Sequence, residues 1–214
     1  MVTFSNDADI LKYEPALFGE LHLPNQIIAA GTGGVLDGIA FTADGADFVS
    51  AGVCQGQVIY LRSADGLLDG VYEIISVDSA TQLGVSIVRA DAEDLAVAPQ
   101  PAADVFYRIC TYKPQAAEVG WQLTKYFGIR QGNFEGNDIL DKGTLRTASV
   151  FAVISSIYAM LAGGSEDENF WNKSLHYKRL FEKQREECRL SIDTNSDGVT
   201  DVTRFGSSFR LVRE

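Results

Sequence analysis

The chain has 214 residues, of which 46% are hydrophobic and 22% charged, enough for one large domain or two small ones with buried cores. Its formal net charge of −11 excludes a surface that grips phosphate backbones. The imbalance is local: residues 1–112 hold four basic residues (Lys12, Arg62, Arg89 and Arg108) against fifteen acidic ones, whereas residues 113–214 carry fourteen of each sign.

The opening stretch, MVTFSNDADILKYEP, shows neither the basic n-region nor the apolar h-region of a secretory signal. A short helix is predicted from Asp7 to Phe18, capped by Asn6 or Asp7 and weakened at Pro15. From Gly31 to Tyr112 the pattern changes to period two. VLDGIAFTA, QVIYLRS, GVYEIISVDS, QLGVSIVRA and VFYRICTY read as five short strands separated by turn signals, which favours a small barrel or sandwich. The glycine cluster at residues 31–34 lacks the Lys-Ser/Thr of a phosphate loop and reads as a flexible entry to that barrel.

The rest of the chain reads as helical. PQAAEVGWQLTKYFGIR opens with Pro114 and ends near Gly128. The uncharged run at residues 148–164 is too short and too serine-rich for a membrane span, and Leu145 to Leu161 is expected as a buried helix stopped by Gly163 and Gly164. A long amphipathic helix is predicted through SEDENFWNKSLHYKRLFEKQREECRLSID, with Phe170, Trp171, Leu175, Phe181 and Cys188 on its apolar face. The last segment alternates like a strand without a partner in its own neighbourhood, and such a strand is suited to pairing on another chain. The expected fold is therefore α+β: a bundle of three to four helices with an inserted small five-stranded β-barrel or sandwich and a C-terminal extended strand. Its segments are 1–30 (N-terminal helix and linker), 31–112 (β-domain), 113–192 (helical core) and 193–214 (acidic-glycine loop and terminal strand).

Catalytic patterns are scarce. His22 and His176 lie in different regions with no nucleophile motif beside them, and Trp121 and Trp171 sit at positions read as core. Cys54, Cys110 and Cys188 have no CxxC spacing, so neither a zinc site nor a disulfide framework is expected. The chain reads as a non-enzyme. One stretch does carry a ligand pattern. In DTNSDGVTD, Asp193, Asn195, Asp197, Val199 and Asp201 occupy positions 1, 3, 5, 7 and 9 of a calcium loop, with Gly198 at position 6. Arg204 stands where the final bidentate carboxylate belongs, so calcium would bind weakly. The same residues can also order the loop through Asx-turns, with Arg204 paired to Asp197 or Asp201. No cofactor is required, and calcium is the one the spacing admits.

The stretches ADFVSAGVCQGQVIYL…GVYEIISVDSATQLGVSIVRA and YKRLFEKQREECRLSIDTNSDGVTDVTRFGSSFRLVR together resemble the head-to-tail connector (adaptor, or neck) proteins of tailed bacteriophages. The resemblance covers roughly residues 35–214. It implies a structural virion protein made in the host cytoplasm, with no membrane partner. Such a protein assembles with itself as a ring, a dodecamer, between the portal protein and a stopper or tail-terminator protein. DNA passes through the axial channel without sequence-specific binding. Carried onto this chain, Phe209, Arg210, Leu211, Val212 and Arg213 form the segment that docks on the portal or a neighbouring subunit. The β-domain departs from minimal adaptors, which are mostly helical. Two alternatives stay open: a calcium-dependent binding module, and a stopper or tail-completion protein of the same neck region.

Overall fold

The computed structural model describes residues 2–129, 138–164 and 168–206. The chain divides into two units, one formed by Asn6–Tyr112 and the other by Met1–Ser5 with Lys113–Glu214.

The first unit is a closed antiparallel barrel of six strands: β1 (Ile27–Asp37), β2 (Ala40–Thr42), β3 (Val58–Ser63), β4 (Asp69–Val77), β5 (Gln82–Ser86) and β6 (Ala102–Cys110), in the spatial order β1-β2-β5-β4-β3-β6. Closure satisfies both edges of every strand. Inward-facing Leu36, Phe41, Ile59, Leu61, Val105 and Tyr107 belong to one continuous core. Phe41, Phe48 and Tyr107 meet edge to face, with centroids 5.4 and 5.7 Å apart for the two pairs involving Tyr107.

The expected bundle with an inserted five-stranded domain is overturned: the described residues form a closed six-stranded antiparallel barrel and four α-helices, a mixed α+β fold. The barrel has six strands, because VLDGIAFTA is not one strand. It is the end of β1, a turn at Gly38 (φ 58°) and the start of β2. The glycine cluster is likewise no flexible entry, since residues 31–34 lie inside β1. A Cβ on Gly31 would stand 2.8 Å from the Tyr107 ring, and one on Gly34 would stand 2.6 Å from the Phe41 ring. The glycines are there because core aromatics fill the space that side chains would need. Register shifts around Gly31 and Gly34 bend the strand, as bulges do in barrels.

Ahead of the barrel, α1 (Asp7–Leu11) is shorter than predicted. Asn6 caps it in a reciprocal box with Asp9, and a separate 3-10 turn follows at Pro15–Leu17. The proline, lacking an N–H to continue α1, starts that new turn.

The second unit holds α2 (Lys113–Tyr126), α3 (Gly143–Gly163), α4 (Glu168–Glu187) and a two-stranded hairpin of β7 (Arg189–Ile192) and β8 (Val202–Phe205). By length and composition α3 qualifies as a membrane span, but it packs against both α2 and α4, and 56% of its most apolar window is buried. The long helix ends at Glu187, not beyond Ile192. Residues 189–192 leave it as β7 and pair in register with 202–205, so the first four residues of the terminal segment have a local partner, while residues 207–214 lie outside the described residues. The buried face of α4 comprises Ser174 and Tyr177. Trp171, expected in the core, is 54% exposed, and Trp121 on α2 is 51% exposed with the Lys125 ammonium 5.1 Å above its ring.

Candidate functional site

Three places concentrate polar chemistry. The first is the loop between β7 and β8. The Asp193 carboxylate accepts from the backbone N–H groups of Asn195 (3.1 Å), Ser196 (2.7 Å) and Gly198 (2.7 Å). Asn195 Oδ1 accepts from Asp197 N, and Asp197 Oδ1 from Val199 N. Asp201 closes the loop by accepting from both the backbone N–H and the hydroxyl of Thr194, at 2.8 and 2.6 Å. Ser196 and Gly198 take positive φ, 62° and 82°. The loop is thus a run of Asx-turns, in which each short polar side chain replaces a missing strand bond.

Burial pushes the Asp193 carboxyl up, but the N–H groups of Gly198, Asn195 and Ser196 outweigh it and hold the group below its ordinary range. The Thr194 hydroxyl and N–H lower Asp201 in the same way. The fold therefore gathers all five residues of the sequence pattern in one loop, with the carboxylates of Asp193, Asp197 and Asp201 each already accepting hydrogen bonds. Among the described residues, no group of three or more His, Cys, Asp or Glu side chains converges in a metal-binding arrangement. Arg204 lies on β8 and forms no ion pair with Asp197 or Asp201. The segment Phe209–Arg213 lies outside the described residues.

The second place is Gly206, the last described residue. Its N–H donates to the Cys188 carbonyl at 2.9 Å, and the Tyr126 hydroxyl donates to its carbonyl. A Cβ here would fall on the Arg185 carbonyl oxygen, so only glycine fits. The Arg185 guanidinium stacks 4.0 Å over the Tyr126 ring. Helices α2 and α4 and the hairpin all meet at this point. The signal in the sequence is the glycine that interrupts the alternating run VTRFGSSF, and its partners are distant in the chain.

The third is a cleft of about 580 Å³ on the outer wall of the barrel unit. Outward-facing Tyr60 and Arg62 of β3 stand opposite Arg108 and Phe106 of β6. Each arginine covers its partner's ring, Arg108 over Tyr60 at 4.8 Å and Arg62 over Phe106 at 5.8 Å. Arg108 also donates to the carbonyls of Phe18 and Gly19. The Tyr60 hydroxyl donates to Asp69 at 2.7 Å, and burial together with that carboxylate raises its pKa. The alternation of aromatic and arginine at two-residue spacing on two strands was the available signal. Only the ladder register shows that the two strands are neighbours.

The histidines do not join any of these as a catalytic pair. His22 contacts the Gly19 carbonyl at the cleft rim, and His176 packs edge to face on Tyr177. No family model, curated protein or solved structure matches the chain.

Proposed function

We propose that the chain is a head–tail connector subunit of a tailed bacteriophage, a non-enzymatic virion protein that forms a ring between portal and tail around a passage for DNA. The observation that carries this reading is the seat of Gly206. A connector must deliver its terminal segment to a partner from a defined position, and here two helices and a hairpin hold the residue immediately before that segment. The half-exposed Trp121 and Trp171 on the helical unit support it further, because exposed tryptophans are favoured anchors at protein interfaces. So do the carboxylates of the DTNSDGVTD loop, which stiffen the turn leading into β8 and on to Gly206.

The test is removal of residues 207–214 followed by incubation with purified portal rings and imaging by electron microscopy. The full chain is expected to decorate the portal as a closed ring whose subunits can be counted. The truncated chain should keep its fold and lose at least tenfold in portal affinity, the size of change expected when a terminal anchor carries much of the contact. Undiminished binding by the truncated chain would contradict the docking role of Phe209–Arg213.

A further inference from the structure

Of the four basic residues in the barrel unit, three are hydrogen-bonded within it. Lys12 bridges Asp9 and the Ala90 carbonyl. Arg89 pairs with buried Glu73 at 2.9 Å and donates to the carbonyls of Ala92 and Asp94. Arg108 donates to the Phe18 and Gly19 carbonyls, and it lines the outer cleft together with Arg62, their guanidinium carbons lying 4.8 Å from the centre of the Tyr60 ring and 5.8 Å from that of Phe106, respectively. Asp69 lies directly across from Arg62 in the ladder, but its carboxylate is engaged by the Tyr60 hydroxyl and no ion pair forms. The Arg62 guanidinium forms no hydrogen bond or ion pair among the described residues, which leaves its N–H groups open to a carboxylate. A unit with fifteen acidic residues thus holds its one unengaged cation among aromatic rings, beside Arg108.

The same unit carries a matching protrusion. Residues 87–97 are braced from within: Arg89 clamps the Ala92 and Asp94 carbonyls, Asp94 accepts from Asp91 N, and Asp91 accepts from Glu93 N. At the tip of this ordered loop Leu95 is 90% exposed, and the Glu93 carboxylate is exposed without an ion pair. An apolar side chain held out by a rigid, acidic loop is a docking knob, since ordering it on binding costs little entropy.

We infer that the cleft at Tyr60, Arg62, Phe106 and Arg108 receives the Glu93–Leu95 loop of a second copy of this chain. Glu93 meets Arg62, and Leu95 lies against the aromatic rings and Pro15. The two patches share no residue, so a single such contact is head-to-tail and closes as a ring when its rotation divides the circle. This deepens the ring reading above and rests on it for the closure. Nucleic acid is the other anionic occupant an arginine–aromatic ladder can take, but the excess of negative charge on the unit opposes it.

The experiment uses the full chain with Cys54→Ser to remove the exposed thiol. Sedimentation velocity is expected to show self-association, weakened about tenfold by Arg62→Glu or by Glu93→Arg and largely recovered in the double exchange. Mixing the Arg62→Cys and Glu93→Cys chains under mild oxidation should give disulfide-linked dimers that neither variant gives alone. Association unmoved by either exchange, a weakening that the double exchange leaves in place, or absence of the mixed dimer would overturn the contact. So would binding of a single-stranded oligonucleotide that Arg62→Glu abolishes while association is unchanged. Portal decoration is scored separately. Rings on the portal without the mixed dimer leave the connector reading standing and remove this contact; the mixed dimer without portal rings does the reverse.

Discussion

Asp7 and Tyr112 open and close the barrel unit, and the Asp7 carboxylate accepts the Tyr112 backbone N–H at 2.8 Å in a buried position. The Tyr112 hydroxyl reaches back to the Leu17 carbonyl at 2.7 Å, and its ring meets Phe18 edge to face. The segment ahead of β1 is thereby fastened to the end of β6. Replacing Asp7 with Ala leaves a buried N–H unmet, a loss of about 1–3 kcal/mol. Hydrogen exchange of the β1 and β6 amides should accelerate accordingly. The tryptophan fluorescence midpoint should hold, because Trp121 and Trp171 are both in the helical unit. Asp7→Asn keeps an acceptor and should cost less.

Gly206→Ala should displace the chain from α4, because the added methyl meets the Arg185 backbone oxygen rather than a side chain that could turn aside. Overpacking against fixed atoms costs about 1–3 kcal/mol. The expected outcome is a lower thermal midpoint by tryptophan fluorescence together with weaker portal binding. Gly198→Ala, where nothing lies within 4 Å, strains only the loop's own backbone at φ 82° and should leave α4 undisturbed.

The hydrogen bonds to Asp193 make the loop sensitive to acid. Its carboxyl is lowered in the folded state, so it binds a proton less readily than in the unfolded chain. Its stabilising contribution is therefore full above the ordinary Asp range and is lost as the pH falls through the lowered value. The protection factors of the Ser196 and Gly198 amides, measured by NMR exchange, should fall across that acidic window and stay flat from pH 6 to 8. Asp193→Ala should lower them throughout the neutral range.

The three free thiols should differ sharply in reactivity. Cys54 is exposed, whereas burial pushes the Cys110 and Cys188 thiols up to about 11, leaving little thiolate at neutral pH. Iodoacetamide at pH 8 is expected to give a single adduct on the native chain, at Cys54 by mass spectrometry. Three adducts should appear in denaturant.

Legibility in the sequence followed the range of the interactions. Helix α2 carries Pro114 in its first turn and ends ahead of Gly128 as local signals require, since capping and termination act within a turn. The residues of β3, β4 and β6 alternate and were read as strands for the same reason. Failures came where a distant partner decides. Gly31 and Gly34 looked like a loop because the rings that exclude side chains there come from Tyr107 and Phe41. The end of α4 was read too late because charges continue past Glu187 without Gly or Pro, and the pairing of β7 with β8 overrides the helical pattern. Trp121 and Trp171 were placed in the core by hydrophobicity alone, although the buried faces of their helices centre on Ala116, Val119, Leu123, Ser174 and Tyr177. Of the candidate site, the DTNSDGVTD loop is visible because its side-chain bonds span seven residues at most. The Arg–aromatic cleft is not, because strand register cannot be read from one strand.

The pairing of β1 with β6 also sets how the barrel unit responds to tension. Ile27 is matched with Cys110, so the N-terminal end of one strand and the C-terminal end of the other lie at the same end of the ladder. A force drawing the chain apart at these two points loads the hydrogen bonds one after another, like a zipper, and not all at once in shear. The Asp7–Tyr112 bond lies ahead of the first rung and must give way before it. Under tension such a unit yields progressively from that corner, and a single-molecule pull on residues 6 and 112 should register low, stepwise resistance.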